Sequence, residues 1–243
     1  MTPVSLRVRR AARSRAPRDR IRANGNPLAN LLPRPAAAPA RSVSLLTRLR
    51  RQLWVLRTTH GAARRWALRR LFESPSARAT RLAALSAAPA SRLVFICHGN
   101  IMRSAFATAV ARGQQTVAPE RVVGAGTHAT AGRAAQDSAL TVSRELGVPL
   151  DAHVASPLAA VAPSAGDVLV CMDAVNEANV LAAYPALAAR VFRVGDVAAG
   201  DVTGAIALRE VRDPYGQGDD ATRAAFSTVQ QLAGKWLRHL RFE

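Results

Sequence analysis

From residue 92 onward, short apolar runs alternate with longer stretches in which apolar positions recur every three or four residues. Residues 92–96, 121–125, 167–172 and 191–194 read as strands, and 167–172 is nearly continuous in apolar character, as in a sheet covered on both faces. Ser104 opens a helix that stops at Gly113. Ala135, Ala139, Val142 and Leu146 mark one face of the next helix, which Gly147 ends. A further helix follows residue 172 and runs to Tyr184 and Pro185. The last begins near Asp219 and Asp220, with Phe226, Val229, Leu232, Trp236 and Leu240 on one face. This alternation predicts an α/β fold: a small four-stranded parallel sheet with helices on both faces.

The first part of the chain follows a different pattern. Residues 1–41 are rich in Arg, Ala and Pro without sustained periodicity, and they read as disordered. Within 42–72 two amphipathic helices are expected. One carries Leu45, Leu49, Leu53 and Leu56 along its apolar stripe, the other Trp66, Leu68, Leu71 and Phe72. Residues 74–91, with Pro75 and Pro89, read as a linker, which divides the chain into a basic extension at 1–91 and a domain at 92–243.

Charge sharpens that division. Residues 1–91 hold 20 arginines against Asp19 and Glu73, whereas residues 92–243 balance 14 basic with 14 acidic residues, so the net charge of +18 belongs to the extension. Such a segment suits an anionic membrane surface, nucleic acid or a targeting role. Lys235 is the single lysine and alanine abounds, so coding bias explains part of the arginine content. Two cysteines give no disulfide framework and no metal-ligand spacing, and no cofactor is implied. Apolar runs fall short of the roughly 18 residues of a membrane span. A cytoplasmic location is expected.

The candidate chemistry lies in residues 94–107, where an apolar run ends in Cys97, a Gly-Asn turn follows, and Arg103 and Ser104 open a helix. Five residues between Cys97 and Arg103 are enough to wrap a loop around a tetrahedral oxyanion at a helix N-terminus. Gly99 and Asn100 suit the positive φ that a tight cradle needs, and the same field favours Cys97 as a thiolate nucleophile. Ser104 is placed to donate to that sulfur.

The loop Cys97-His98-Gly99-Asn100-Ile101-Met102-Arg103-Ser104 resembles the signature of the low-molecular-weight protein tyrosine phosphatases, with Met102 where that family often has a second cysteine. The resemblance spans about residues 92–241. It implies that residues 97–104 bind phosphate, with Cys97 as nucleophile and Arg103 on the phosphoryl oxygens. It also implies that Asp213, in Arg212-Asp213-Pro214-Tyr215, is the general acid and that Tyr215 is a wall for the aryl ring. Asp173, in Cys171-Met172-Asp173, would brace the loop from behind, and His153 would support Asn100. Gly124 and Ala105 depart from the pattern, since a serine and a proline are usual at those places. The implied partners are phosphotyrosine proteins, a bacterial tyrosine kinase among them. Three other readings stay open. An arsenate reductase of this fold needs resolving cysteines, for which Cys171 is the one candidate. An arginine phosphatase is expected to carry a threonine three residues before the loop arginine, whereas Ile101 stands two before Arg103 and the loop holds no threonine. A noncatalytic anion-binding protein would need neither a nucleophile nor an acid.

Overall fold

The computed structural model describes residues 45–198 and 209–243. The expectation of disorder over 1–41 lies outside the described residues. Strands β1 (Leu93–Cys97), β2 (Val122–Gly126), β3 (Val168–Cys171) and β4 (Val191–Arg193) form one parallel sheet in the order β2-β1-β3-β4. Helices α4 (Arg103–Gly113), α5 (Asp137–Glu145) and α8 (Gly218–His239) adjoin the face that carries Phe95 and Cys97. Helices α6 (Leu158–Val161) and α7 (Ala174–Ala183) adjoin the opposite face, with Ile96 and Cys171. The expected four-stranded parallel sheet, helices on both faces, is the observed one.

Period-two alternation along β1 explains the division of the core. Leu93, Phe95 and Cys97 project to one side while Val94 and Ile96 project to the other, and all are buried. On the Cys97 side Phe106 of α4 stacks on Phe226 of α8, with centroids 4.0 Å apart. Trp236 completes that side, its indole N–H donating to the Val194 carbonyl at 2.8 Å. Full burial of one aromatic side chain contributes about 1.5–3 kcal/mol, so this cluster fixes α8 against the sheet.

The N-terminal helices are α1 (Leu45–Thr58), α2 (Gly61–Leu71) and α3 (Pro75–Ala84). Helix α3 corrects the linker reading of 74–91. Ser74 caps it by accepting the Ala77 N–H at 3.1 Å, and Pro75 occupies its first turn, a start signal that outweighs the linker-like composition. The faces of α1 and α2 also differ from expectation. Leu49 and Leu53 are 46 % and 54 % exposed and Phe72 is 82 % exposed, while Val55, Ala63 and Ala67 are buried against Ala174 and Ala178 of α7. Small side chains allow the close approach of α2 to α7, so alanines carry this contact.

Arginines of the same segment pair with acids of the sheet domain. Arg51 meets Glu210 at 2.7 Å, Arg70 meets Glu177 at 3.3 Å and Arg78 meets Asp196 at 3.7 Å. Arg81 donates to the Val191 carbonyl at 2.9 Å and lies over the Phe192 ring. These cations hold the helices to the domain and are not available to an anionic surface. Leu85 and Ala90 belong to the main core, and the Ala90 N–H donates to the Arg241 carbonyl at 2.7 Å, so packing does not change at the expected boundary of residue 92.

Candidate active site

Cys97 ends β1 and α4 begins at Arg103, so the intervening loop stands at the carboxyl edge of the sheet, where open α/β sheets bind ligands. Asn100 takes φ +52°, the left-handed conformation expected of this turn, whereas Gly99 does not adopt a positive φ. With that twist the Asn100 N–H points back at Cys97 Sγ, 3.2 Å away. The Ser104 hydroxyl lies 3.0 Å from the same sulfur and 3.2 Å from the Ala125 carbonyl oxygen, and it accepts from Asn100 Nδ2 at 2.8 Å. Two donors thus converge on the sulfur.

The fully buried Asn100 side chain is held at both ends, since its Oδ1 accepts the Ser156 N–H at 2.9 Å. His153 reaches the loop through the Asn100 backbone carbonyl, with Nε2 2.6 Å from that oxygen, and not through the side-chain amide. Burial lowers the His153 pKa, Arg112 adds to the effect, and the hydrogen bond to Asn100 only partly offsets it. The neutral ring then donates from Nε2.

Gly124 accounts for its own departure from the signature. A Cβ there would lie 2.8 Å from both Asn100 Nδ2 and Thr108 Oγ1, so with the amide in this position β2 has room only for glycine. Gly126 is required in the same way, because its Cβ would meet the His98 carbonyl oxygen at 2.7 Å and the Asn100 nitrogen at 2.9 Å. The side chains of Ile101 and Met102 are buried in the main core, so backbone is what these two residues present to a ligand.

Arg103 is 1 % exposed. Its Nη1 donates to Asp173 Oδ2 at 2.8 Å and to the Val211 carbonyl at 2.9 Å, and its Nη2 lies 2.8 Å from Asp213 Oδ2. Nε is buried without a partner among the described residues. Burial opposes the charge, but Asp173 first, then Cys97 and Asp213, outweigh it and raise the guanidinium pKa. Asp173 has a second task as the cap of α7, its Oδ1 accepting the Asn176 N–H at 2.8 Å.

Asp213 therefore reaches the Cys97 loop from more than a hundred residues away, as expected, but Tyr215 does not line the cavity. The Tyr215 N–H donates to Asp213 Oδ1 at 3.3 Å, and its ring, 56 % exposed, follows the chain into the turn at Gly216, where φ is +71°. The cavity over Arg103 and His98 measures about 950 Å³, and its aromatic lining comes from Trp54, His98 and His128. The two imidazoles stack with centroids 4.5 Å apart. Ser156, Thr108 and His128 were not legible as site residues, because Ser156 meets Asn100 across 56 residues, His128 stacks on His98 from beyond β2, and Thr108 faces Gly124 of that strand. Among the described residues, no group of three or more His, Cys, Asp or Glu side chains is placed to hold a metal ion.

Cys171 is fully buried on the sheet face opposite Cys97, and burial first, then Glu177 and Asp173, push its thiol pKa well up. A disulfide needs Cβ atoms about 3.5–4.5 Å apart and facing one another. Side chains on opposite faces do not meet that requirement.

The family model for low molecular weight phosphotyrosine protein phosphatases matches residues 92–243. The chain belongs to this family. Among its relatives is a probable low molecular weight protein-tyrosine-phosphatase, EpsP, of Ralstonia nicotianae, 28 % identical over 61 % of this chain and 95 % of that protein. The crystal structure of the Erwinia amylovora tyrosine phosphatase AmsI is 28 % identical with a TM-score of 0.54, covering 62 % of this chain and 93 % of that one. An arginine phosphatase from Geobacillus stearothermophilus shares the fold at 24 % identity and a TM-score of 0.52, covering 61 % of this chain and 91 % of that one. The relatives align with the sheet domain, and helices α1 to α3 precede the matched region.

Proposed function

We propose that this phosphatase hydrolyses phosphotyrosine and related aryl phosphate monoesters through a cysteinyl-phosphate intermediate. The observation that carries this reading is the position of Arg103, whose guanidinium connects the Cys97 loop with Asp213, 2.8 Å from Nη2. In the first step Cys97 Sγ attacks phosphorus, the bond from phosphorus to the aryl oxygen breaks, and the Asp213 carboxyl gives its proton to the departing phenolate. Arg103 and the loop amides stabilise the negative charge on the equatorial oxygens. In the second step Asp213 takes a proton from water, whose oxygen attacks phosphorus. The S–P bond then breaks, releasing inorganic phosphate and a thiolate that the Ser104 hydroxyl stabilises.

Phosphotyrosyl proteins are the substrates we assign, with a bacterial tyrosine kinase as a candidate partner, and the cytoplasm is the expected compartment. The Ile101 side chain, packed in the core, leaves the loop without the threonine expected of an arginine phosphatase. The test is hydrolysis of p-nitrophenyl phosphate in buffer containing a chelator. The full chain should turn over, and Cys97→Ser should not. Equal rates for the two proteins would refute the mechanism.

A further inference from the structure

Helix α1 stands outside the segment that matches the family, yet it forms one wall of the cavity above Arg103. Arg50, Arg51 and Trp54 line that wall, facing Arg212 and Asp213. The helix is docked on the domain: Val55 is buried against α7, and Arg51 donates from Nε to Glu210 Oε2 at 2.8 Å. The Arg51 guanidinium also lies 4.2 Å from the Trp54 ring centroid, which fixes the indole from one side. Glu210 is itself held by the Ala174 N–H and by Arg193. It precedes Val211, whose carbonyl accepts from Arg103. Only Val211 and Arg212 therefore separate the anchor of α1 from Asp213.

The charges on this wall are unequal. Arg51 is neutralised by Glu210 and Arg103 by Asp173 and Asp213, whereas Arg50 and Arg212 are exposed and form no ion pair among the described residues. Among the described residues, these two unpaired cations line the same cavity as Arg103, together with Trp54. A volume of about 950 Å³ is at the upper end of the roughly 300–1,000 Å³ typical of ligand sites, more than a single aryl phosphate fills.

The geometry points to α1 as a substrate-recognition element: Trp54 packs on the phosphotyrosine ring or the residue beside it, and Arg50 and Arg212 select peptides with acidic residues flanking the phosphotyrosine. This rests on the phosphatase reading of the Cys97 site. It assigns the basic N-terminal segment a role in choosing protein substrates, and it takes up at Trp54 the aromatic contact that Tyr215 does not provide.

The experiment compares kcat/KM of the full chain for two phosphotyrosyl peptides, one flanked by Asp and Glu and its isomer flanked by Asn and Gln, beside p-nitrophenyl phosphate. Exposed charge pairs are screened, so each cation should favour the acidic peptide by about two- to fivefold. Arg50→Gln and Arg212→Gln should each lower the acidic-to-neutral ratio by about that factor. Raising the salt to about 1 M, where the Debye length is near 3 Å, should bring the ratio toward one. Trp54→Ala should reduce kcat/KM for both peptides while leaving their ratio in place. A wild-type ratio near one, with p-nitrophenyl phosphate still hydrolysed, overturns this inference and leaves the phosphatase reading standing. No hydrolysis of p-nitrophenyl phosphate overturns both. A ratio unmoved by Arg50→Gln, with binding to phosphatidylglycerol vesicles that Arg50→Gln abolishes, would assign Arg50 to a membrane surface and overturn the inference.

Discussion

The Arg103 guanidinium holds the Asp213 carboxylate at 2.8 Å from Nη2. A phosphate dianion arriving on Arg103 competes for the same donor and places negative charge beside Asp213. Substrate binding would then release Asp213 from the guanidinium.

Asp213→Ala should lower kcat by about 10²–10⁴-fold for phenyl phosphate, whose leaving group needs a proton. The loss should be at least about tenfold smaller for p-nitrophenyl phosphate. Inorganic phosphate should bind more tightly to the variant, because the competing carboxylate is gone. A uniform loss for both esters would show that Asp213 is not the acid.

Gly124→Ser should be destabilising, because its Cβ would stand 2.8 Å from Asn100 Nδ2 and Thr108 Oγ1. Overpacking of this kind costs about 1–3 kcal/mol. Thr108→Ala in the same chain should recover part of that loss in urea unfolding, since it frees one of the two contacts. Unchanged stability in Gly124→Ser would mean that the amide of Asn100 moves freely.

The stability of the fold should fall on acidification below about pH 6.5, the ordinary histidine value. His153 has its pKa lowered in the folded chain by burial, and so does His128, by burial and then by His98. Between their folded values and 6.5 the unfolded chain binds more protons, so stability is fully present above 6.5 and is lost as pH falls through that window. His153→Gln should flatten the profile of urea midpoint against pH, with His128 accounting for the slope that remains. An unaltered slope would rule out His153 as a contributor.

Oxidation should inactivate the enzyme with poor recovery. Cys171 faces away from Cys97 across the sheet, and Met102 stands where a neighbouring thiol would serve, so a sulfenic acid at Cys97 has no resolving partner among the described residues. After graded exposure to peroxide, the activity restored by dithiothreitol should decline with exposure time as sulfinic acid accumulates. Full restoration at every time would contradict this.

The sequence by itself determined what depends on neighbours along the chain. Short apolar runs located all four strands, Gly113 and Gly147 marked helix ends, and the Cys97 loop with its left-handed Asn100 could be read from eight consecutive residues. Tertiary structure decided what depends on which surfaces meet. Periodicity identifies an apolar stripe but not what covers it, so Leu49, Leu53 and Phe72 read as buried while Ala63 and Ala67 carry the contact with α7. Composition marked the N-terminal arginines as suited to an anionic partner, yet Arg51, Arg70 and Arg78 meet carboxylates more than a hundred residues away in the chain. Only the folded chain brings Trp54 into the cavity, turns Tyr215 out of it and sets Cys171 on the far face from Cys97. Local propensity acts over a few residues, whereas helix docking and strand register are fixed by burial and ion pairing between distant segments.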